Sequence, residues 1–131
     1  MILLIYSLEH NLNKKDINSI VLSTIKGQTN ILEKHINLVT ILNLGLLRFK
    51  ISNKWYIFLL YRGITEVKKD QISIITNKFE KITKIRIADA AKQLKIAILN
   101  LRNAKTNRER LKFSWDLRKE TILLEAMKYL S

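Results

Sequence analysis

Apolar residues in this chain change period near Lys84, alternating two by two before it and recurring every three to four residues after it. Leu47, Phe49 and Ile51 alternate with Arg48 and Lys50, the pattern of a strand with one buried face. Beyond the change, Ile87, Ala91, Leu94, Ile98 and Leu101 form one stripe of an amphipathic helix. Strands first and helices afterwards argue against a parallel βαβ scaffold. The expected class is α+β: an N-terminal antiparallel β-sandwich over residues 1–84, then a C-terminal antiparallel helical hairpin over 85–131.

Turn signals cut the first part into short strands. The opening run Met1 to Tyr6 is one. Ile17 to Thr24 stops at Lys26-Gly27-Gln28, and Ile36 to Leu42 ends near Asn43 and Gly45. Ser52-Asn53-Lys54 joins Leu46–Ile51 to Trp55–Tyr61 as an antiparallel hairpin. Lys68-Lys69-Asp70-Gln71 joins Ile64–Val67 to Ile72–Thr76 in the same way. Seven short strands at this spacing suit a small sandwich. The three glycines, Gly27, Gly45 and Gly63, each read as turn residues.

Two helices are expected after Lys84. The first runs from about Ala88 to Ala104, with small residues at Ala90, Ala97 and Ala104 that permit close helix packing. Asn103 to Asn107 supplies a polar turn, and a second helix runs from about Arg108 to Leu130 with Leu111, Trp115, Ile122 and Ala126 along one side. Asp89 reads as an acidic charge near a helix N-terminus. Two helices alone bury little surface, which makes the hairpin a candidate moving part with its hinge at Lys81 to Arg86.

Composition narrows the function. Of 131 residues 47% are hydrophobic, yet His35, Arg48, Lys50 and Lys54 interrupt every run that approaches the roughly 18 apolar residues of a membrane span. No targeting segment is read at the start, and the absence of cysteine excludes a disulfide framework and a thiolate metal site. The net charge of +13 invites a nucleic-acid reading, a small basic ribosomal or RNA-binding protein. However, 13 basic and 6 acidic residues up to Lys84 and 11 and 5 after it split that charge into +7 and +6, with no basic block. Abundant Ile, Lys and Asn without any proline point to AT-rich coding as one source of the charge. There is no phosphate-cradling G-x-x-x-x-G-K, no serine elbow and no Cys-His pair, so an independent enzyme finds no support. His10 and His35 are two isolated histidines and not a metal site; no cofactor is expected.

The run IVLSTIKGQTNILEKH, then Asn43-Leu44-Gly45-Leu46-Leu47-Arg48 and Tyr61-Arg62-Gly63-Ile64, resembles the epsilon subunit of F-type ATP synthases. Leu101-Arg102-Asn103-Ala104 and the closing Leu124 to Ser131 resemble its plastid branch. The resemblance implies a non-catalytic rotor component of the central stalk whose sandwich binds the gamma subunit and the c-ring. It places Gln28 and His35 in the loop that faces the c-ring; a histidine that only satisfies its own loop is the plain alternative for His35. It makes the hairpin regulatory, able to lie folded or to extend toward the catalytic alpha and beta subunits and restrain ATP hydrolysis. Arg108, Arg110, Lys112, Arg118 and Lys119 would then oppose an acidic segment of beta, the alternative being a solvated face paired to Glu109, Asp116 and Glu120. The location implied is the stromal side of the thylakoid membrane in a plastid, held peripherally through the complex, or the cytoplasmic side of a bacterial inner membrane.

The chain also departs from the family pattern. Around the first loop that pattern is close to G-x-x-G-x-L-P-x-H-x-P, whereas Asn30 replaces the second glycine, Glu33 the first proline, and neither Ile36 nor Asn37 restores the second. Arg62 stands where relatives have the first of two glycines, and Leu8 where a proline often follows the first strand. Of the I-D-x-x-R-A motif that binds ATP in certain bacterial relatives, Ala88 to Gln93 keeps only Asp89, so no nucleotide ligand is expected.

Overall fold

The computed structural model describes residues 1–24, 27–32 and 37–130. They divide into two compact units, Met1–Lys81 and Ile82–Ser131. The first unit is a seven-stranded sheet: β1 (Ile2–Tyr6), β2 (Asn11–Lys14), β3 (Ser19–Thr24), β4 (Gly27–Leu32), β5 (Leu38–Ile51), β6 (Lys54–Lys68) and β7 (Gln71–Lys81). They lie side by side in the order β2-β1-β7-β6-β5-β3-β4. Both expected hairpins form, β5 with β6 and β6 with β7, each antiparallel.

Two of the expected breaks are not breaks. β5 runs through Asn43 and Gly45, and β6 runs through Arg62 and Gly63, as single strands of 14 and 15 residues. The count of seven is made up by β2 and β4, two strands with too few apolar residues to stand out. The sheet is also not purely antiparallel, because β1 pairs parallel to β7, with Ile5 opposite Ile74.

What looks like a gap in the pattern is a reversal of the buried face. In β5 the buried Leu42 belongs to the even-numbered set, while Leu47 and Phe49 belong to the odd. β6 switches from Phe58 and Leu60 to Thr65 and Val67, and β7 from Ile72 and Ile74 to Phe79. The three reversals lie in register, near Gly45, Gly63 and Asn77, and mark the line along which the sheet folds back on itself. Side chains from β1 and β3, far apart in strand order, thereby enter one core with Phe49, Phe58 and Phe79. The result is the sandwich that the strand pattern predicts.

Gly45 and Gly63 sit on this line because neighbouring strands approach there, through the Ser23 side chain at Gly45 and through backbone at Gly63, not because the chain turns. A Cβ on Gly63 would stand 2.2 Å from the carbonyl oxygen of Ile75, and one on Gly45 2.4 Å from the Cβ of Ser23. Of the three glycines only Gly27 has a left-handed backbone, at φ +105°. Beside Gly63, Arg62 holds φ +28°, a conformation that favours glycine. The buried Thr76 closes the line by sharing its hydroxyl between the carbonyls of Tyr61, Arg62 and Lys78.

The second unit is α1 (Lys84–Arg102) and α2 (Asn107–Glu125), followed by a tightened last turn over Ala126–Tyr129. α1 begins four residues before the expected start, because the Thr83 hydroxyl accepts from the Arg86 amide and caps it. Asp89 therefore lies in the second turn, beyond the first-turn amides it was expected to serve. Thr106 caps α2 by accepting from the Glu109 amide. Between β7 and α1 only Ile82 and Thr83 remain, so most of the segment expected as a hinge belongs to those elements.

The inner side of α1 follows Ile87, Ala90, Leu94, Ala97, Leu101 and Ala104, a spacing of alternating three and four. Ala91 and Ile98 were expected in that stripe and are exposed; the alanines take the closest approach and turn the larger Ile98 outward. In α2 the buried positions are Glu120 and Leu123, whereas Leu111, expected on the inner side, is 74% exposed on the opposite flank.

The fold line is testable by stability. Gly63→Ala forces a Cβ against backbone that cannot yield cheaply and should cost about 3 kcal/mol. Gly27→Ala meets no atom within 4 Å and carries only the strain of its positive φ, about 1 kcal/mol. Urea unfolding of the full chain measures both, and equal losses would remove the special role assigned to Gly63.

Candidate functional site

A protein without a catalytic constellation acts through its surfaces. Among the described residues no three His, Cys, Asp or Glu side chains gather in a way that could hold a metal ion. No helix is long and apolar enough to cross a membrane.

On the outer face of the sheet, Ile41 of β5 lies opposite Ile64 of β6, Ile64 opposite Ile75 of β7, and Ile75 opposite Tyr6 of β1. The four side chains form one row across four strands, exposed by 54%, 54%, 64% and 42%. Val39 extends the row along β5, and Leu8, 95% exposed, stands just past the end of β1. A groove of about 530 Å³ runs beside Tyr6, Leu8, Ile64, Ile75 and Asn77. Along β6 the outward positions read Ile64, Glu66 and Lys68, so the apolar residue is the exception in an otherwise polar face. A contiguous apolar row of this kind marks a contact surface. Sequence reasoning missed it, although Ile64, an apolar residue between Arg62 and Glu66 in the outward-facing set of β6, was an available signal.

The residues singled out beforehand are dispersed. Gln28 is exposed on β4, opposite Ser23 on β3. His35 lies outside the described residues. His10 is exposed in the turn after β1, with its ring 4.2 Å from that of Phe79. On α2, Arg108, Lys112 and Lys119 fall within a sector of about 40°, given roughly 100° per residue, while Arg110 and Arg118 point elsewhere. Arg108, Arg110, Lys112 and Arg118 are exposed; Arg110 donates to Asn107 Oδ1 at 3.3 Å. Lys119 is half-buried, with Nζ 3.8 Å from Glu120 Oε1. The five cations thus do not form one stripe.

Four basic residues of the sheet lie over aromatic rings. Lys54 and Lys81 lie 5.2 and 5.9 Å from the ring centre of Tyr56, and Arg48 and Lys50 lie 5.7 and 6.0 Å from that of Trp55. Each is within cation–π range. Such pairing covers aromatic surface and creates no concentrated phosphate site.

Comparison with known proteins agrees with the sequence resemblance. Residues 1–82 match the family model for the β-sandwich domain of the ATP synthase delta/epsilon chain. The chloroplastic ATP synthase epsilon chain of Phaeodactylum tricornutum is 40% identical over 114 residues, 87% of this chain and 86% of that one. The chloroplastic epsilon chain of Thalassiosira pseudonana is 33% identical over the same shares. In structure, the chain is similar to one in the Euglena gracilis mitochondrial ATP synthase, resolved as OSCP/F1/c-ring, with a TM-score of 0.84, 20% identity and coverage of 97% and 81%. A chain of the Tetrahymena thermophila central stalk and c-ring gives 0.63 at 18% identity, covering 96% and 95%. At such identities these two speak for the fold, and the curated relatives and the family model for descent. The chain belongs to the ATP synthase epsilon chain family.

Proposed function

We propose that this chain is the non-catalytic epsilon subunit of a plastid ATP synthase, seated on the central stalk between gamma and the c-ring. The relatives are named chloroplastic, and the solved neighbours are described with the c-ring, one together with OSCP and F1 and the other with the central stalk. The observation that carries the reading for this chain is the exposed row Ile41, Ile64, Ile75 and Tyr6, a surface suited to a permanent protein partner. We assign that row to gamma, and Gln28 and His35 to the polar loops of the c-ring. The thylakoid membrane, approached peripherally from the stromal side, is the location that follows. Proton-driven rotation of the c-ring would pass through this contact to gamma and so to the nucleotide sites of the alpha and beta subunits.

The helical unit is the regulatory part. With α2 carried toward alpha and beta, its exposed cations would meet acidic surface and restrain ATP hydrolysis. Lys119→Glu is a poor probe of this, because it also puts a second carboxylate beside the buried Glu120. Arg118 is exposed and clear of that pair, which makes it the better position.

Three outcomes are expected with an assembled complex into which the recombinant subunit is exchanged. Ile64→Thr together with Ile75→Thr, which keeps β-branched residues at both positions, should weaken association with gamma at least tenfold, about 1.4 kcal/mol or more, while leaving the unfolding midpoint nearly unchanged. Retention of wild-type affinity would move the gamma contact elsewhere. Ending the chain after Lys84 should preserve gamma binding and raise the rate of ATP hydrolysis; an unchanged rate would count against restraint by the helices. Arg118→Glu should weaken the restraint more at low salt than at high salt, and an effect independent of salt would take Arg118 out of the electrostatic contact.

A further inference from the structure

One ion pair joins the two helices across the hairpin. Arg86 lies in the first turn of α1 and Glu120 in the penultimate turn of α2, 34 residues further along the chain. The guanidinium meets the carboxylate at two points: Nη1 donates to Oε2 at 3.2 Å and Nη2 donates to Oε1 at 3.1 Å. Two parallel bonds to a planar fork fix both distance and orientation, as a lysine could not. Asp89, 3.7 Å from Arg86, and Lys119, 3.8 Å from Glu120, extend the pair into a chain of alternating sign.

The two partners are unequally buried. Glu120 is 4% exposed, whereas a quarter of the Arg86 side chain reaches water. The buried residues of the seam beside them are Ile87, Ala90 and Ala97 on α1 and Leu123 on α2, and apolar contact of this kind is non-directional. The pair therefore specifies which residues face each other along this seam, a role buried ion pairs fill in some folds.

We infer that Arg86 and Glu120 form a latch that selects the closed hairpin, and that α1 and α2 separate only when it breaks. The inference rests on the regulatory reading of the helical unit for its consequence, but not for its geometry. Separation returns both charges to water, so the open state leaves neither orphaned. In the closed state the loss of one partner strands the other, and the burial difference makes the two losses unequal. Removing Arg86 leaves a buried carboxylate beside Lys119 without its bidentate partner; removing the Glu120 charge leaves a guanidinium that is already partly hydrated. Arg86→Gln therefore opens the hairpin more than Glu120→Gln, and adding Glu120→Gln to Arg86→Gln closes it again in part.

The chain contains no cysteine, so Ala88→Cys and Thr121→Cys, both at exposed positions, accept a pair of spin labels without background. Pulsed electron resonance on the full chain should give one short distance for the otherwise wild-type protein. Arg86→Gln should raise the long-distance population at least tenfold, Glu120→Gln less, and the double variant Arg86→Gln with Glu120→Gln should recover part of the short distance. If Arg86→Gln loses its helical circular dichroism, Arg86→Lys, which keeps the charge without the fork, should show an intermediate opening. A distribution unmoved by Arg86→Gln and Arg86→Lys, or opening of equal size in both neutral variants, overturns the latch. ATP hydrolysis by the reassembled complex is read separately. Reduced hydrolysis with opened hairpins supports the regulatory reading, while opened hairpins with unaltered hydrolysis leave the latch standing and remove that reading.

Discussion

The meeting of Gly63 with the Ile75 carbonyl is the contact on which the sheet unit depends. β5 and β6 are each long enough to serve both layers of the sandwich, and they do so only if they bend together with β7. The bend brings backbones closer at residue 63 than any Cβ allows, and glycine at 45 leaves room for the Ser23 side chain of the neighbouring strand. Thr76 supplies the hydroxyl that satisfies carbonyls turned out of the ladder at the same line. The bend has two products. Inward, it reverses which residues face the core, so that Leu42 and Leu47 both enter it; outward, it leaves Ile41, Ile64 and Ile75 stacked on an open face.

The helical unit is held by different means. Its helices are defined locally, by threonine caps at 83 and 106 and by the polar connection between Arg102 and Asn107. Their mutual fit rests on a short seam of Ile87, Ala90, Ala97 and Leu123 and on a bidentate ion pair, where the sheet has a larger apolar core. Apolar burial is non-directional and hard to undo piecemeal, whereas a paired charge contributes little net stability and strongly disfavours wrong partners. A rigid unit and a unit with a selectable partner suit a subunit that must hold one surface permanently and change another.

Much of this was legible in the sequence, and the failures share a cause. The period change located the junction of strands and helices, and the polar tips at Ser52-Asn53-Lys54 and Lys68 to Gln71 fixed two hairpins. Both successes rest on local signals. The bend did not register, because a strand that reverses its buried face looks like two strands with a turn between them. Gly45 and Gly63 then passed as turn residues. The parallel pairing of β1 with β7 joins the two ends of the sheet unit, and nothing between them in sequence encodes it. In the helices a 3.6-residue stripe and the actual three-four seam share Ile87, Leu94 and Leu101, so only the packing of Ala90 and Ala97 decides against Ala91 and Ile98. The Arg86–Glu120 pair was hidden for the same reason, since 34 residues separate charges that are unremarkable individually.

Net charge misled in a way that the side-chain placement explains. A value of +13 suggests a polyanion, yet charge alone says how strongly a surface is attracted and not where. On the sheet, Arg48, Lys50, Lys54 and Lys81 lie over Trp55 and Tyr56, each shielding aromatic area that would otherwise meet water. On α2 the cations divide between directions, and Lys119 is turned toward Glu120. A polyanion-binding face requires several cations to act on the same ligand at once, and dispersal forbids that whatever the total. The contact surface that the bend does present, the row of Ile41, Ile64, Ile75 and Tyr6, is apolar.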